Sequence, residues 1–208
     1  MDDRIEEFWK GGFGDQYTDR NNDPAIVRSN SALFHEILKD VGTLQSVLEL
    51  GCNRGLNLQV LSELFPAARL TGVEINQKAA SIAREETSAT ISHTSIRDFS
   101  STEKFDLVFT KGVLIHVDPD ELEMVYRKML ALSNCYVLIV EYFNPVPVEV
   151  EYRGHGGRLF KRDFAADLMR IEPDLRLVDY GFKYRLDPSF PQDDMTWFLL
   201  KKSNSQHL

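Results

Sequence analysis

The chain has 208 residues, 43% hydrophobic and 27% charged, and its 32 acidic against 24 basic side chains leave a formal charge of −8. This length suits one domain that buries a full core, and there is no apolar run of membrane-spanning length. The acidic balance excludes a broad nucleic-acid or anionic-membrane footprint, because such partners are held through basic surfaces.

The acidic opening residues lack the basic start and apolar centre of a secretory signal, so a cytoplasmic setting is expected. Cys52 and Cys135 are too few for a disulfide framework or a metal site and are expected as two reduced thiols, the first beside a ligand.

In chain order, residues 24–39 are expected to form a helix and 45–50 the first strand. Leu56, Val60, Leu61 and Leu64 then share one face of a helix over 56–65, and Pro66 leads to a strand over 69–75. A helix over 77–86 and strands over 90–95 and 104–110 follow, with Ile91 and His93 of the first strand expected in the core. Residues 119–131 place Leu122, Val125, Tyr126, Met129 and Leu130 on one helical face, ahead of a strand over 135–141. A helix over 162–170 precedes two apolar runs, 175–181 and 195–201.

Strands alternating with helices imply a parallel sheet covered on both faces. No helix separates the last two runs, so the final strand is expected to insert antiparallel. The expected fold is α/β: a doubly wound, seven-stranded, mostly parallel sheet with helices on both faces and an antiparallel last strand. It is expected as a single domain over 1–208, with an N-terminal lid over 1–28 and a substrate-binding insertion over 142–162.

The segment Ser46-Val47-Leu48-Glu49-Leu50-Gly51-Cys52-Asn53-Arg54-Gly55 reads as strand, tight turn and helix start. Gly51 and Gly55 suit backbone conformations or close approaches closed to a residue with a Cβ. Asn53 stands where a second glycine is common, and Asn is among the few other residues that tolerate positive φ. About 20 residues on, Glu74 with Ile75 beside it sits where a doubly wound fold places an acid on a ribose. A dinucleotide requires G-x-G-x-x-G to lay its pyrophosphate on bare backbone. Here the second and third glycines are missing, and Glu49 would repel a pyrophosphate while suiting a ligand that carries an ammonium and a sulfonium. S-adenosyl-L-methionine is therefore the expected cofactor.

The element order, Glu49 in Val47-Leu48-Glu49-Leu50-Gly51, Glu74 and the closing hairpin together resemble class I, Rossmann-like methyltransferases that use this cofactor. The resemblance implies an acid near the adenine amino group after the third strand, where Asp98 stands with Phe99 available to cover the ring. It also implies cofactor contacts from Lys111 and Gly112, in Phe105-Asp106-Leu107-Val108-Phe109-Thr110-Lys111-Gly112-Val113-Leu114-Ile115-His116. Segments 7–21, 144–164 and 190–198 further resemble the pseudaminic acid biosynthesis-associated methylases. That narrower resemblance implies an association with nonulosonic-acid sugar pathways and does not fix the methyl acceptor, which is expected to be a small, anionic sugar or nucleotide-sugar.

The remaining candidates surround that acceptor. Arg153, His155, Arg158, Lys161 and Arg162 concentrate positive charge after Tyr142, and guanidinium groups suit a sugar carboxylate or nucleotide phosphate through bidentate bonds. Phe8, Trp9, Phe13 and Tyr17 are expected to form the lid, with glycines 11, 12 and 14 letting it bend. Arg20 is a candidate partner for the methionine carboxylate. For a hydroxyl acceptor, His116 and His155 are the candidate general bases. Two alternatives stay open: a cofactor-binding scaffold without catalysis, and an NAD-linked sugar oxidoreductase or epimerase.

Overall fold

The strand Ser-Val-Leu-Glu-Leu that opens the sheet is buried along its whole length, which marks a strand covered on both faces rather than one. The computed structural model describes residues 4–203. Helices α1 (Arg4–Lys10), α2 (Gly12–Arg20) and α3 (Pro24–Leu38) precede β1 (Ser46–Leu50), α4 (Leu56–Leu64), β2 (Arg69–Glu74), α5 (Gln77–Glu86) and β3 (Thr90–His93). Then come β4 (Phe105–Lys111), a 3₁₀ turn (Leu114–His116), α6 (Leu122–Leu132), β5 (Ser133–Glu141), β6 (Val148–Tyr152) and β7 (His155–Lys161). The last elements are α7 (Phe164–Ile171), β8 (Leu175–Lys183) and β9 (Met195–Lys202).

Seven strands form one sheet in the order β3-β2-β1-β4-β5-β9-β8, and β9 runs antiparallel to both of its neighbours, as expected. The chain reverses its direction of winding between β1 and β4, which are parallel neighbours. In such a sheet, ligands bind beyond the carboxyl ends of the strands at this switch point.

Alternation along the strands sends neighbouring residues to opposite faces. Val47, Leu107 and Leu138 pack with Leu33, Phe34 and Ile37 of α3 and with Leu58 and Leu61 of α4. Leu48, Val108 and Val137 pack with Val125 and Met129 of α6 and Phe164 and Leu168 of α7. Each fully buried Leu or Phe contributes on the order of 2 kcal/mol. Among the described residues, no helix is long and apolar enough to cross a membrane.

The structure departs from the sequence reading at four places. Helix α6 starts at Leu122, because the Asp118 carboxylate accepts from the Asp120 N–H at 2.9 Å and draws the preceding residues into a turn. His93 is exposed at the end of the edge strand β3, its Nε2 3.1 Å from the Ile75 carbonyl oxygen. The expected insertion after β5, for which no strand was expected, forms an antiparallel hairpin, β6 with β7. Its turn residues Arg153 (φ 51°) and Gly154 (φ 82°) are both left-handed, the geometry of a two-residue turn that matches strand twist. Finally, Gly12 and Gly14 lie inside α2. A Cβ on Gly14 would stand 1.9 Å from the Trp9 carbonyl oxygen, so this glycine permits close packing of α2 on α1 rather than bending.

Candidate active site

At the end of β1 the chain turns sharply, and Gly51 (φ 79°), Asn53 (φ 46°) and Gly55 (φ 83°) all take the left-handed conformation. The Asn53 side chain steadies this turn by accepting from the Arg54 N–H at 2.8 Å through Oδ1, the local hydrogen bond that makes Asn tolerable there. Gly55 faces α5 instead of the cavity: a Cβ would meet the Thr87 methyl at 2.8 Å, so its role is helix packing.

Glu74 joins this turn to the next helix. Its Oε2 accepts from the Asn53 N–H and its Oε1 from the Asn76 N–H, each at 2.7 Å. Each oxygen keeps a further lone pair for a ligand hydroxyl. Burial pushes the Glu74 carboxyl up from its ordinary range, against these backbone donors.

Glu49 is fully buried. Its Oε1 accepts from Asn57 Nδ2 at 2.5 Å, whereas Oε2 is buried with no hydrogen-bond partner. Burial raises its pKa to about 8, opposed by the Asn57 hydrogen bond and the charge of Lys111 and reinforced by Glu74. A buried acceptor without a donor is costly; Glu49, expected beside the cofactor, lines neither of the two hollows at the strand ends. Lys111 stands nearby at the end of β4. Burial lowers its pKa, while the charges of Asp193, Glu49 and Glu141 act the other way.

A cavity of about 170 Å³ opens over these strand ends. Of the residues singled out in the sequence, Tyr17, Gly51, Asn53, Glu74, Ile75, Lys111, Gly112 and His116 line it. Cys52 lines a smaller adjoining hollow together with Tyr17, Asn53 and Lys111, and both Cys52 and Cys135 are free and buried.

Other candidates lie off the cavity. Asp98 is exposed, and its carboxylate accepts from Ser95 Oγ at 2.9 Å to close a turn. Phe99 packs in the core on the α6 side of the sheet. From this loop, Thr94, Ile96 and Arg97 face the cavity instead. The loop is clamped by Lys128, whose Nζ donates to the carbonyls of Ile96 and Phe99 at 2.8 Å each and to that of Arg97. Arg20 is exposed, with its guanidinium over the rings of Phe13 (5.6 Å) and Tyr17 (5.8 Å), and does not line the cavity.

His116 lies between aromatic rings, 4.6 Å from the Trp9 centroid and 4.9 Å from that of Tyr152. Its Nδ1 is 2.6 Å from the Arg158 carbonyl oxygen. A carbonyl can only accept, so Nδ1 carries the proton and Nε2 keeps its lone pair. Burial lowers the His116 pKa to about 4, so the ring is neutral near pH 7. The turn that carries it is held by Glu141, which accepts from the Val113 and Leu114 N–H groups at 3.0 Å each.

The basic residues of the insertion do not converge. Arg158 lies over the Phe8 ring at 5.0 Å, Lys161 over Tyr142 at 5.1 Å and Arg153 over Tyr152 at 5.8 Å. Arg162 pairs with Asp167 at 2.9 Å. None of Tyr142, Arg153, Arg158 and Lys161 lines the main cavity. The His155 side chain and residues 1–3 of the expected lid lie outside the described part of the chain.

Sequence reasoning passed over Asn57, Asn76, Lys128 and Glu141. Asn76 had a signal, since a polar residue just before a helix is a capping position. It caps α5 through the Ala79 N–H at 2.9 Å and also donates to the Trp9 carbonyl at 3.1 Å and to Asp15 Oδ1 at 2.9 Å. It thereby ties α1 and α2 to the cavity rim.

The family model described as a methyltransferase domain matches residues 47–134. A tRNA1(Val) (adenine(37)-N6)-methyltransferase from Flavobacteriaceae bacterium (strain 3519-10) is 24% identical over 103 residues, 46% of this chain and 45% of that protein. The chain thus spans less than half the length of that curated relative. Among solved structures, magnesium protoporphyrin IX methyltransferase from Synechocystis PCC 6803, with bound S-adenosylmethionine, superposes with a TM-score of 0.73 at 14% identity, covering 98% of each chain. The 1,6-didemethyltoxoflavin-N1-methyltransferase of Burkholderia thailandensis, with S-adenosylhomocysteine bound, gives a TM-score of 0.70 at 19% identity over 92% of this chain and 86% of that one. At these identities the structural likeness establishes the fold.

Proposed function

We propose, for a chain that has the class I, Rossmann-like fold of S-adenosylmethionine-dependent methyltransferases and a methyltransferase domain at residues 47–134, that it methylates a small, anionic sugar or nucleotide-sugar. The observation that carries the cofactor half of this reading is the pair of buried carboxylates flanking the Gly51–Asn53 turn. Glu74 presents lone pairs suited to ribose hydroxyls, and the orphaned Glu49 Oε2 suits the ammonium of the methionine part. The turn lacks the second and third glycines that lay a pyrophosphate on bare backbone, which disfavours NAD.

When bound, the cofactor supplies an activated methyl group on a sulfonium. The chain's own contribution is alignment and exclusion of water. Trp9 and His116 line the cavity with Tyr152 against the His116 ring, and we read the described residues 4–28 as its lid. For a hydroxyl acceptor, His116 Nε2 would be the group that accepts the hydroxyl proton, with the Arg158 carbonyl holding Nδ1–H; burial, which lowers the ring's pKa to about 4, makes it a weak base.

An acceptor of the pseudaminic, nonulosonic-acid type is supported by the resemblance of segments 7–21, 144–164 and 190–198 and by the cationic residues Arg153, Arg158 and Lys161 on the β6–β7 hairpin. A tRNA acceptor, like that of the curated relative, suits a chain of formal charge −8 less well.

Calorimetry with S-adenosylhomocysteine and with NAD tests the cofactor, and mass-spectrometric assay across nonulosonic-acid intermediates tests the acceptor. Binding of S-adenosylhomocysteine with a mass gain on one intermediate is expected. Tight NAD binding with none for S-adenosylhomocysteine would sink the reading, and cofactor binding without turnover on any intermediate would favour a scaffold.

A further inference from the structure

Glu49 is held by more than its neighbour Asn57. The Asn57 amide, 9% exposed, accepts in turn from Asn30 Nδ2 of α3 at 2.9 Å. Asn30, 2% exposed, accepts from Gln192 Nε2 at 3.0 Å, and Gln192 lies in the loop between β8 and β9. Three side-chain amides thus form one chain that ends on the Glu49 carboxylate.

The direction of this chain follows from hydrogen-bond chemistry. The Asn57 NH₂ donates to Glu49 and its carbonyl accepts from Asn30; this is the arrangement that an ionised Glu49, the form a ligand cation at Oε2 would favour, requires, because such a carboxylate only accepts. Asn30 must then donate to Asn57 and accept from Gln192. Each bond polarises the next, so the three amides act as one oriented unit in a site of low dielectric. The unit satisfies Oε1 alone and leaves Oε2 without a partner.

We propose that Asn57 and Asn30, anchored by Gln192, are positioning residues that fix the Glu49 carboxylate with Oε2 presented to the ammonium of the ligand's amino-acid part. They also couple the β8–β9 loop to that subsite. The inference rests on the S-adenosylmethionine reading above, since only a ligand with an ammonium makes this orientation useful. The loop that carries Gln192 is far from β1 in sequence, and the amide chain gives its position a direct effect on how firmly the amino-acid end of the ligand is held.

The test uses the full chain and two ligands, S-adenosylhomocysteine and 5′-methylthioadenosine, which share the adenosine and the thioether but differ in the amino-acid end. Asn57→Leu is expected to weaken S-adenosylhomocysteine binding by about tenfold or more, as for loss of a hydrogen bond to a charged group. Asn30→Leu and Gln192→Ala are expected to weaken it by about threefold to tenfold. Affinity for 5′-methylthioadenosine is expected to stay within about twofold of wild type in all three. Equal losses for both ligands would mean that the amides only support the fold and would overturn the proposal. So would unchanged S-adenosylhomocysteine affinity in Asn57→Leu. Gln192 is partly exposed in a loop, so Gln192→Ala keeps the test available if the buried variants fail to fold; unchanged affinity there overturns the coupling to the loop. If neither ligand binds the wild-type chain, the cofactor reading fails and takes this inference with it.

Discussion

Glu49 concentrates the site's electrostatics in one residue. Its pKa in the folded chain is raised to about 8 by burial, so between about 4.5 and 8 the folded chain keeps a proton that the unfolded chain releases. The stability from this term is present at acid pH and is lost as pH rises through that window. A ligand cation at Oε2 favours the ionised form and draws the pKa down. Ligand binding at pH 7 should therefore release most of one proton, and affinity for S-adenosylhomocysteine should rise with pH towards 8. Calorimetry in two buffers of different ionisation heat measures the release, which should vanish in Glu49→Gln. His116 has the opposite sign: its pKa is lowered to about 4, so the stability of its neutral, buried ring is present above about 6.5 and is lost as pH falls towards 4. The left-handed turn at Asn53 and the places of Glu49 and Glu74 on β1 and β2 were readable because strand, turn and spacing all lie within a short stretch of sequence. Asn30 and Asn57 were not, because each looks like an ordinary polar residue on a helix until folding brings α3 and α4 together at the end of β1.

Two connections set the positions of groups at the cavity. The loop after β3 turns inward because Lys128 of α6 holds three of its carbonyls. That clamp sets Ile96 and Arg97 on the cavity in place of the expected Asp98 and Phe99. Lys128→Met removes all three bonds, and we expect it to weaken S-adenosylhomocysteine and 5′-methylthioadenosine alike, by about tenfold. A loss limited to one ligand would mean that the loop does not serve the adenosine they share. The second connection is the β6–β7 hairpin. Its turn, Arg153-Gly154, and the alternation of Val148, Val150 and Tyr152 were visible signals of strands. The density of charge in the segment drew attention to binding instead. The hairpin delivers the Arg158 carbonyl to His116, so part of its contribution is made through backbone rather than through the cationic groups that made the segment conspicuous.

Across the whole molecule, the proposed ligand would join β1, β2 and β4 to the N-terminal helices, which already meet at Asn76. S-adenosylhomocysteine at about 100 times its Kd should add roughly 2.7 kcal/mol of stability. For a chain of this length that raises Tm by roughly 5–10 °C, read by thermal-shift or calorimetric melting. No rise at saturating ligand would count against a site that ties these elements together. The sequence by itself determined the α/β class, the parallel core, the antiparallel last strand and the glycine-bearing turn with its two carboxylates. These depend on hydrophobic period and on residues close together along the chain, where local geometry dictates the outcome. Only the tertiary structure decided which side chains share the cavity. It removed Glu49, Arg20, Asp98 and the basic residues of the hairpin from its lining and revealed the amides that hold Glu49. Those placements depend on contacts between elements far apart in sequence, and no local pattern records which polar group will meet another once the sheet is covered.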